Sequence, residues 1–273
     1  MTAPAAPGRV RAFARPATPD IVDRHLGVLV AWALLAPDLR ADGRVLATTG
    51  LVLLGAVCTF VAVVALDDVA GFRAGGDRAG GDRTTSARQA LAFAGVAGTA
   101  GGALWLSAAA IAPHAPLWTL VLMGVTFALA LRYSWGRKPS HRGFAEIFPV
   151  AVGSAVVLVP HGLAVGAVHA GVVVQALIFG LGPLLAAVYA DTRDVGGDRR
   201  FVVALTSVEF ALILSAPFAG APWWLSPAML PTMLLRLDQS RVGFGLGDLA
   251  RARGLGVLTH RTTVAALVVV NLL

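Results

Sequence analysis

The sequence has few of the groups on which soluble enzymes depend. Its single cysteine, Cys58, cannot form an intrachain disulfide or a cysteine-based metal site. Charged residues make up only 14% of the chain, against 57% hydrophobic residues, and no polar stretch is long enough for a soluble domain. No phosphate-binding P-loop, Rossmann fingerprint or Ser/His/Asp arrangement can be assembled either. These absences exclude most soluble catalytic classes.

Long apolar segments take the place of soluble structure. Several reach the roughly 20 residues that span a bilayer. The pattern predicts an all-α integral membrane protein with about nine transmembrane helices. Gly and Ala within these segments favour close helix packing through small residues. The predicted helices lie near 24–37, 45–66, 88–112, 115–133, 146–163, 168–190, 200–217, 222–237 and 258–273.

Two regions follow from this pattern. Residues 1–20 are rich in Pro, Ala and Arg and lack an apolar core, so they are predicted to form a disordered cytoplasmic tail. Residues 21–273 form one polytopic membrane domain. Its longest polar stretches are 67–87 and 238–257. Both are predicted to be loops on one side of the membrane.

The basic residues predict the orientation. The chain has 22 Lys and Arg and a net charge of +7. All of them except Arg40 and Arg44 fall in the N-terminal tail or in the loops that follow even-numbered helices, with Arg236 and Arg261 counted in the last of these loops. By the positive-inside rule, this side is cytoplasmic. The net charge indicates topology and contact with anionic lipid, and nucleic-acid binding is disfavoured.

Acidic residues are scarce but concentrated. Of 15 in all, six occur in two clusters on this predicted cytoplasmic side, after the helices 45–66 and 168–190. The second cluster has the spacing i, i+3, i+7, which is one face of a continued helix. Carboxylates so close together repel one another unless a cation lies between them, and Mg²⁺ suits such incomplete oxygen sets because it keeps waters and bridges to phosphates. The clusters are Asp67, Asp68 and Asp77, and Asp191, Asp194 and Asp198.

Solvated loop acids are the simpler interpretation of such clusters. We favour a metal–diphosphate site because the arrangement occurs twice and a cationic segment lies between the two clusters. A diphosphate cannot approach carboxylates without a metal. The segment 131–143 offers cations for phosphate and aromatic faces for a carbocation, although alone it could be an ordinary positive-inside loop with interfacial aromatics. Its residues of interest are Arg132, Tyr133, Trp135, Arg137, Lys138, His141 and Arg142, followed by Glu146.

A tandem Ala-Gly-Gly-Asp-Arg repeat occupies residues 74–83. Glycine costs a helix roughly 1 kcal/mol relative to alanine, so a turn or flexible loop is predicted here. For Asp82, a duplication in a tolerant loop is the preferred interpretation.

These residues resemble the UbiA superfamily of intramembrane prenyltransferases. The stretch from Asp67 to Asp77 is similar to the naphthoate-prenyltransferase variant of the family's first Asp-rich motif, and Asp191 to Arg199 is similar to the second. Tyr133 with Lys138, then Arg142-Gly143 and Glu146, is similar to the stretch after the fourth helix. The resemblance extends over nearly the whole chain and implies a nine-helix bundle.

The chain also departs from the family pattern. Gly71 stands where the first motif has its middle acid, and the basic segment before the third helix is replaced by residues 82–86. The basic element after the second motif is shortened to Arg199-Arg200-Phe201. These differences affect the predicted diphosphate-binding loop and the acceptor preference.

The resemblance implies that residues 21–273 are catalytic and ionise an allylic polyprenyl diphosphate with Mg²⁺. An aromatic or other lipid-soluble acceptor would then capture the prenyl cation; in the alternative, a membrane terpene cyclase, the chain's own double bonds capture it. The implied metal ligands are Asp67, Asp68, Asp77, Asp191, Asp194 and Asp198. The implied diphosphate ligands are Arg137, Lys138, Arg142 and Arg193, with Tyr133 and Trp135 beside the cation.

A transporter or metal-binding scaffold is the third hypothesis. Against it, the acids lie at helix ends, whereas transport sites lie near the bilayer midplane. Glu209 is the one acid inside a predicted span, where it either forms a helix-packing hydrogen bond or faces a cavity. His161 and His169 are predicted at the opposite interface, and Trp223 and Trp224 in an outer aromatic belt. The Arg-, Ala- and Gly-rich usage suggests a bacterial plasma-membrane protein.

Overall fold

The structure is a computed structural model that describes residues 23, 25–73, 83–134, 144–187 and 195–273. At several helix ends beside the gaps it describes only the backbone, and this includes positions 67, 68 and 198. Every regular element in these ranges is helical, as predicted. The elements are α1 (Gly27–Ala33), α2 (Pro37–Arg40), α3 (Gly43–Arg73), α4 (Arg83–Ile111), α5 (Leu117–Ser134), α6 (Phe144–Val165), α7 (Ala170–Ala187), α8 (Val195–Ser215), a 3-10 turn (Ala216–Ala219), α9 (Leu225–Ala228), α10 (Leu230–Ser240), a π turn (Arg241–Gly245) and α11 (Leu249–Leu272).

Among the described residues, the helices that meet the length and composition expected of a membrane span are fewer than the nine predicted. Within the described ranges, four helices are long and apolar enough to cross a membrane, and three shorter apolar helices accompany them. The four are the segments Gly43–Leu66, Ala87–Ile111, Arg199–Ala219 and Leu249–Leu272. The predicted first and eighth spans are represented by the seven-residue α1 and by the pair α9 and α10. The prediction of about nine transmembrane helices is therefore not confirmed.

The stretch 238–257, predicted to be a polar loop, is mostly helical. Helix α10 continues to Ser240 and passes into the π turn, and α11 begins at Leu249 instead of near 258. The Asp248 carboxylate starts α11, because it accepts a hydrogen bond from the Arg251 amide at 3.0 Å. Arg251 and Arg253 are exposed, so the polar residues form the solvated surface of a helix.

Contacts between helix ends define the two ends of the bundle. The His114 amide donates to the Leu163 carbonyl at 3.1 Å, and the Arg44 guanidinium donates to the Ile111 carbonyl at 3.0 Å. The start of α3, the end of α4, the start of α5 and the end of α6 thus lie together, at what we call the Arg44 end.

The helix ends on either side of the sequence motifs lie at the other end, which we call the motif end. Leu131 near the end of α5 packs against Ala65 and Leu66 of α3 and Ala94 of α4. Val150 near the start of α6 packs against a cluster that contains Leu185 of α7 and Val202 of α8. Since α3 to α8 alternate in direction, the last residues of α3, α5 and α7 and the first residues of α4, α6 and α8 all face this end.

Small residues allow the central helices to approach closely. A Cβ built on Gly153 of α6 would lie 2.9 Å from the Gly180 Cα of α7, and a Cβ on Gly180 would lie 2.6 Å from the Val150 carbonyl oxygen. In the α3–α4 contact, a Cβ on Gly101 would lie 2.7 Å from the Thr59 hydroxyl. These helix pairs are held by backbone proximity, as expected where lipid supplies no hydrophobic drive for association.

Candidate functional site

The described part of the first acidic motif, up to residue 73, lies within a helix and not after one. Helix α3 extends to Arg73, so Asp67, Asp68 and the Gly71 position belong to its last two turns. Val69 is buried, which explains the extension: an apolar contact continues beyond the acids. This corrects the prediction that Asp67 and Asp68 close the helix. Asp77 and Asp82 lie outside the described residues.

The second motif is described only at its last member. Asp198 lies in the first turn of α8, which begins at Val195 instead of near 200. A carboxylate in a first turn is stabilised by the positive end of the helix dipole. Asp191, Asp194 and Arg193 lie outside the described residues, so the prediction that all three acids share one helix face remains a prediction.

The fold brings the described motif positions to one end of the bundle. The last turns of α3 with Asp67 and Asp68, and the first turn of α8 with Asp198, both face the motif end. Tyr133 lies in the last turn of α5 and Glu146 in the first turn of α6, at the same end. Other residues of the predicted cationic segment lie outside the described part: Trp135, Arg137, Lys138, His141 and Arg142.

The donor chemistry at this end suits magnesium. The motif acids are hard oxygen donors contributed by separate helix ends, the kind of set that Mg²⁺ accepts when water and phosphate complete its coordination. Among the residues whose side chains are described, no group of three or more His, Cys, Asp or Glu could hold a metal ion. The magnesium site is therefore a prediction that depends on the motif acids alone.

A buried polar network lies between α7, α8 and α10, and the sequence did not predict it as a unit. Arg236 forms two hydrogen bonds to the Glu209 carboxylate, at 2.7 Å from Nε and 2.9 Å from the second terminal nitrogen. Its remaining terminal nitrogen donates to Gln239 Oε1 at 2.6 Å. Gln239 Nε2 then donates to the Leu185 carbonyl of α7 at 3.2 Å.

This network shows the role of Glu209 and corrects the assignment of Arg236 to a loop. Glu209 is fully buried and paired, so it serves helix packing. Arg236 had been counted as a cytoplasmic loop residue, but its side chain is only 1% exposed. Its pairing with an acid 27 residues earlier cannot be deduced from spacing, because the two residues lie on different helices.

A second ion pair joins the N-terminal segment to α11. The Arg261 guanidinium donates to both Asp23 carboxylate oxygens, at 2.8 and 3.2 Å, and His260 Nε2 lies 3.0 Å from the Asp23 carbonyl. Arg261 thus belongs to a helix and not to the loop in which it was counted, although it remains half exposed. This pair anchors the chain just before α1.

The Arg44 end contains the four residues predicted to lie opposite the motifs: His161, His169, Trp223 and Trp224. Of these, His161 is more buried than an interfacial residue is expected to be. His161 is buried at 2% exposure, with its ring centroid 6.1 Å from that of the exposed His169. It is therefore not an interfacial residue. Trp223 and Trp224 are 72% and 36% exposed, as an aromatic belt requires, and the Trp224 indole donates to the Val270 carbonyl at 3.1 Å. None of these residues can reach the motif end.

No protein-family model matches this sequence, and no curated protein matches it. Among solved structures, the chain is similar to the apo structure of a UbiA homolog from Aeropyrum pernix K1. The two chains are 16% identical, and the similarity covers 91% of this chain and 96% of the other, with a TM-score of 0.61. At this identity the likeness shows the fold, and it confirms the UbiA-like bundle that the sequence motifs predicted.

Proposed function

We propose that this chain, which has the fold of a UbiA homolog, is a magnesium-dependent prenyltransferase of the UbiA superfamily. It ionises an allylic polyprenyl diphosphate and transfers the prenyl group to an aromatic or other lipid-soluble acceptor. The observation that carries the proposal is the joint placement of two Asp-rich motifs. A fold shared over 91% of the chain directs the described parts of both motifs to one end of the bundle.

Electrostatics accounts for the proposed ionisation. Asp67, Asp68, Asp191 and Asp194 would hold Mg²⁺, with Asp77 and Asp198 completing the two acidic sets. The metal supplies the charge that stabilises the departing pyrophosphate. Lys138, Arg137, Arg142 and Arg193 would add charge-assisted hydrogen bonds to its oxygens. No covalent nucleophile is required, because departure of the diphosphate already generates the electrophile.

The fate of the allylic cation distinguishes a transferase from a cyclase. Tyr133 and Trp135 would stabilise the cation through their aromatic faces, while the apolar tail extends among the helices toward lipid. A nucleophilic aromatic acceptor then forms the new carbon–carbon bond and loses a proton. Without an acceptor, the double bonds of the prenyl chain could capture the cation instead.

The membrane setting follows from the same arrangement. We expect the motif end on the cytoplasmic side of a plasma membrane, and the positive-inside distribution supports this orientation. Water-soluble diphosphate head groups and Mg²⁺ would reach the acids from the cytoplasm, and the prenyl chain would remain in the bilayer.

The test uses purified protein in lipid nanodiscs with Mg²⁺ and geranylgeranyl diphosphate, with and without an aromatic quinone precursor. Pyrophosphate release and extracted products are measured together. We expect release that depends on Mg²⁺, stops with EDTA and falls at least about 100-fold in Asp68→Ala and Asp194→Ala, because each removes a carboxylate from the metal site. Asp82→Ala, in the Gly-rich repeat, is the neighbouring control and should retain activity.

Each other outcome has a separate meaning. Unchanged turnover in Asp68→Ala or Asp194→Ala would contradict the metal site. A cyclised hydrocarbon or alcohol formed without acceptor would assign the chain to the cyclases. Absence of release with several prenyl chain lengths would favour the transporter hypothesis.

A further inference from the structure

The buried network connects both sides of the second acidic motif. Helix α7 precedes the motif and α8 follows it, with only residues 188–194 between their described ends. Gln239 bonds α7 at Leu185, two residues before the last described residue of that helix. Through Arg236, the same network bonds α8 at Glu209. Helix α10 therefore bridges the two helices that carry the motif.

The network lies only a few helical turns from the motif along the sequence. Asp198 and Glu209 are 11 residues apart on α8, which is about three turns. Asp191 follows Leu185 by six residues. A rigid helix transmits a displacement at Glu209 to the backbone of Asp198, and a displacement at Leu185 moves the described end of α7, which precedes the acidic segment in the sequence.

Packing alone does not explain the network. Leu185 and Val202 already bring α7 and α8 together in an apolar cluster with Val242 and Ala252. The polar groups themselves are completely enclosed, since Glu209 and Gln239 have no exposed surface. A buried ion pair contributes little net stability compared with apolar residues of similar size, but it does fix distance and orientation. The network therefore fixes the relative positions of the helices more than it adds to the stability of the fold.

We propose that the Gln239 amide, oriented by Arg236 and Glu209, positions the ends of α7 and α8 and thereby sets the Mg²⁺ affinity of the second acidic motif. This inference rests on the proposed function. Gln239 is a positioning residue: its carbonyl accepts from Arg236 while its amide nitrogen donates to Leu185, so one side chain connects the ion pair to α7.

The test compares two buried glutamines. Gln239→Met removes both hydrogen bonds at similar side-chain length, whereas Gln239→Glu keeps an acceptor for Arg236 and puts a carboxylate oxygen in place of the donor to Leu185. Gln175→Met is the matched control, because Gln175 is also buried and its side-chain oxygen accepts a hydrogen bond from Asn271 at 2.6 Å. Gln175 lies on α7, the helix that Gln239 contacts, but near the Arg44 end. All are measured as full-length protein in nanodiscs.

Three readouts separate positioning from folding. Electron paramagnetic resonance titration with Mn²⁺ and inorganic pyrophosphate gives metal affinity without turnover. Hydrogen exchange of peptides covering 183–200 reports on the helix ends, and thermal unfolding reports on the fold. We expect both Gln239 variants to bind Mn²⁺ about tenfold more weakly and to exchange faster at 183–200. Gln175→Met should remain within about twofold of wild type, because its hydrogen bond lies far from the acids.

The outcomes are distinguishable. Wild-type Mn²⁺ affinity in Gln239→Glu, with a melting temperature like that of Gln175→Met, would overturn the positioning role and leave the proposed function intact. Equal weakening in Gln239→Met and Gln175→Met would also overturn it, because a general loss of packing would then be sufficient. Failure of the wild-type protein to bind Mn²⁺ with pyrophosphate would instead contradict the proposed function, and the inference would fall with it.

Discussion

Among the described arginines, Arg236 is notable because its side chain is almost fully buried. Its guanidinium is 1% exposed and all three of its nitrogens have acceptors, on Glu209 and Gln239. Removing one member of a buried pair leaves an uncompensated charge, whereas removing both leaves none. The stability of the helix bundle should therefore respond very differently to single and double substitutions.

We expect Arg236→Leu to lower the free energy of unfolding by about 3–5 kcal/mol, and the double variant Glu209→Leu/Arg236→Leu to return close to wild type. Unfolding by denaturant in detergent, followed by circular dichroism, measures both. Arg261→Leu is the comparison: the Arg261 side chain is 52% exposed and Asp23 is 10% exposed, so loss of this pair should cost less than loss of Arg236. A double variant as unstable as Arg236→Leu would show that the pair stabilises the fold in its own right.

At this scale the sequence drew attention to Glu209 but not to its partner. Glu209 stood out because a charge within an apolar span is costly. Arg236 did not, because its charge is counted with the loop that follows the predicted helix 222–237, although its side chain is buried. The motif acids are recognised from composition and resemblance, whereas the burial of His161 depends on tertiary packing that no local pattern encodes.

The crossing of α6 and α7 is the clearest constraint at the scale of elements. Gly153 and Gly180 allow the two backbones to touch, and the atoms nearest a new Cβ on Gly180 include a backbone carbonyl that cannot move aside. Any side chain there must push the helices apart. Gly124, on α5, has no atom within 4 Å of such a Cβ.

We predict that Gly180→Ala destabilises the protein by about 1–3 kcal/mol through overpacking. Gly124→Ala, the same change in open space, should be neutral or stabilise by up to about 1 kcal/mol, because alanine favours helix more than glycine does. Thermal unfolding of the two variants in one detergent makes the comparison. Equal melting temperatures would contradict the close crossing.

Helix type was predictable at this scale, whereas helix ends were not. Apolar runs indicate where a helix enters and leaves the hydrocarbon core of the bilayer. A helix forms its own backbone hydrogen bonds, however, so it can continue into water. Helix α3 therefore continues past Asp67 and Asp68, and α11 starts at Leu249 among exposed arginines. The same limitation explains why the sequence pattern predicts a loop over 238–257.

At the scale of the whole molecule, the charge asymmetry predicts the orientation. The two cations at the Arg44 end are both engaged with backbone carbonyls: Arg44 with Ile111 and Ala112, and Arg40 with Ala33 and Asn271. Arginine at the negative end of a helix dipole is well placed. These residues thus perform a local structural role, and the orientation is predicted from the remaining basic residues.

We expect single cysteines in a Cys58→Ala background to report this orientation. Asp38→Cys, at the exposed start of α2, should react with a membrane-impermeant maleimide in intact cells. Arg199→Cys, exposed on α8 near the motif end, should react only after permeabilisation, because the positive-inside side is cytoplasmic. The reverse labelling pattern would invert the topology and place the acids outside the cell.

The overall fold was the most predictable property, because hydrophobic periodicity and two motifs of defined spacing can be recognised in the sequence without knowledge of tertiary contacts. The UbiA-like bundle was anticipated from the motifs and is confirmed by the structural likeness. The predicted count of about nine transmembrane helices is not confirmed, because α1, α9 and α10 are shorter than a membrane span in the described part of the chain. Proline explains part of this shortness: Pro37 opens α2, and Pro231 lies in the first turn of α10.

The pairing of Glu209 with Arg236 also has a consequence for biosynthesis. The acid leaves the ribosome 27 residues before its partner, so α8 reaches the translocon with an uncompensated charge. An ionised side chain at the centre of a helix raises the apparent cost of insertion by roughly 2.5–3.5 kcal/mol. Helix α8 is therefore expected to wait at the translocon, protonated or in contact with water, until α10 arrives, and the two then enter the lipid as a neutral pair.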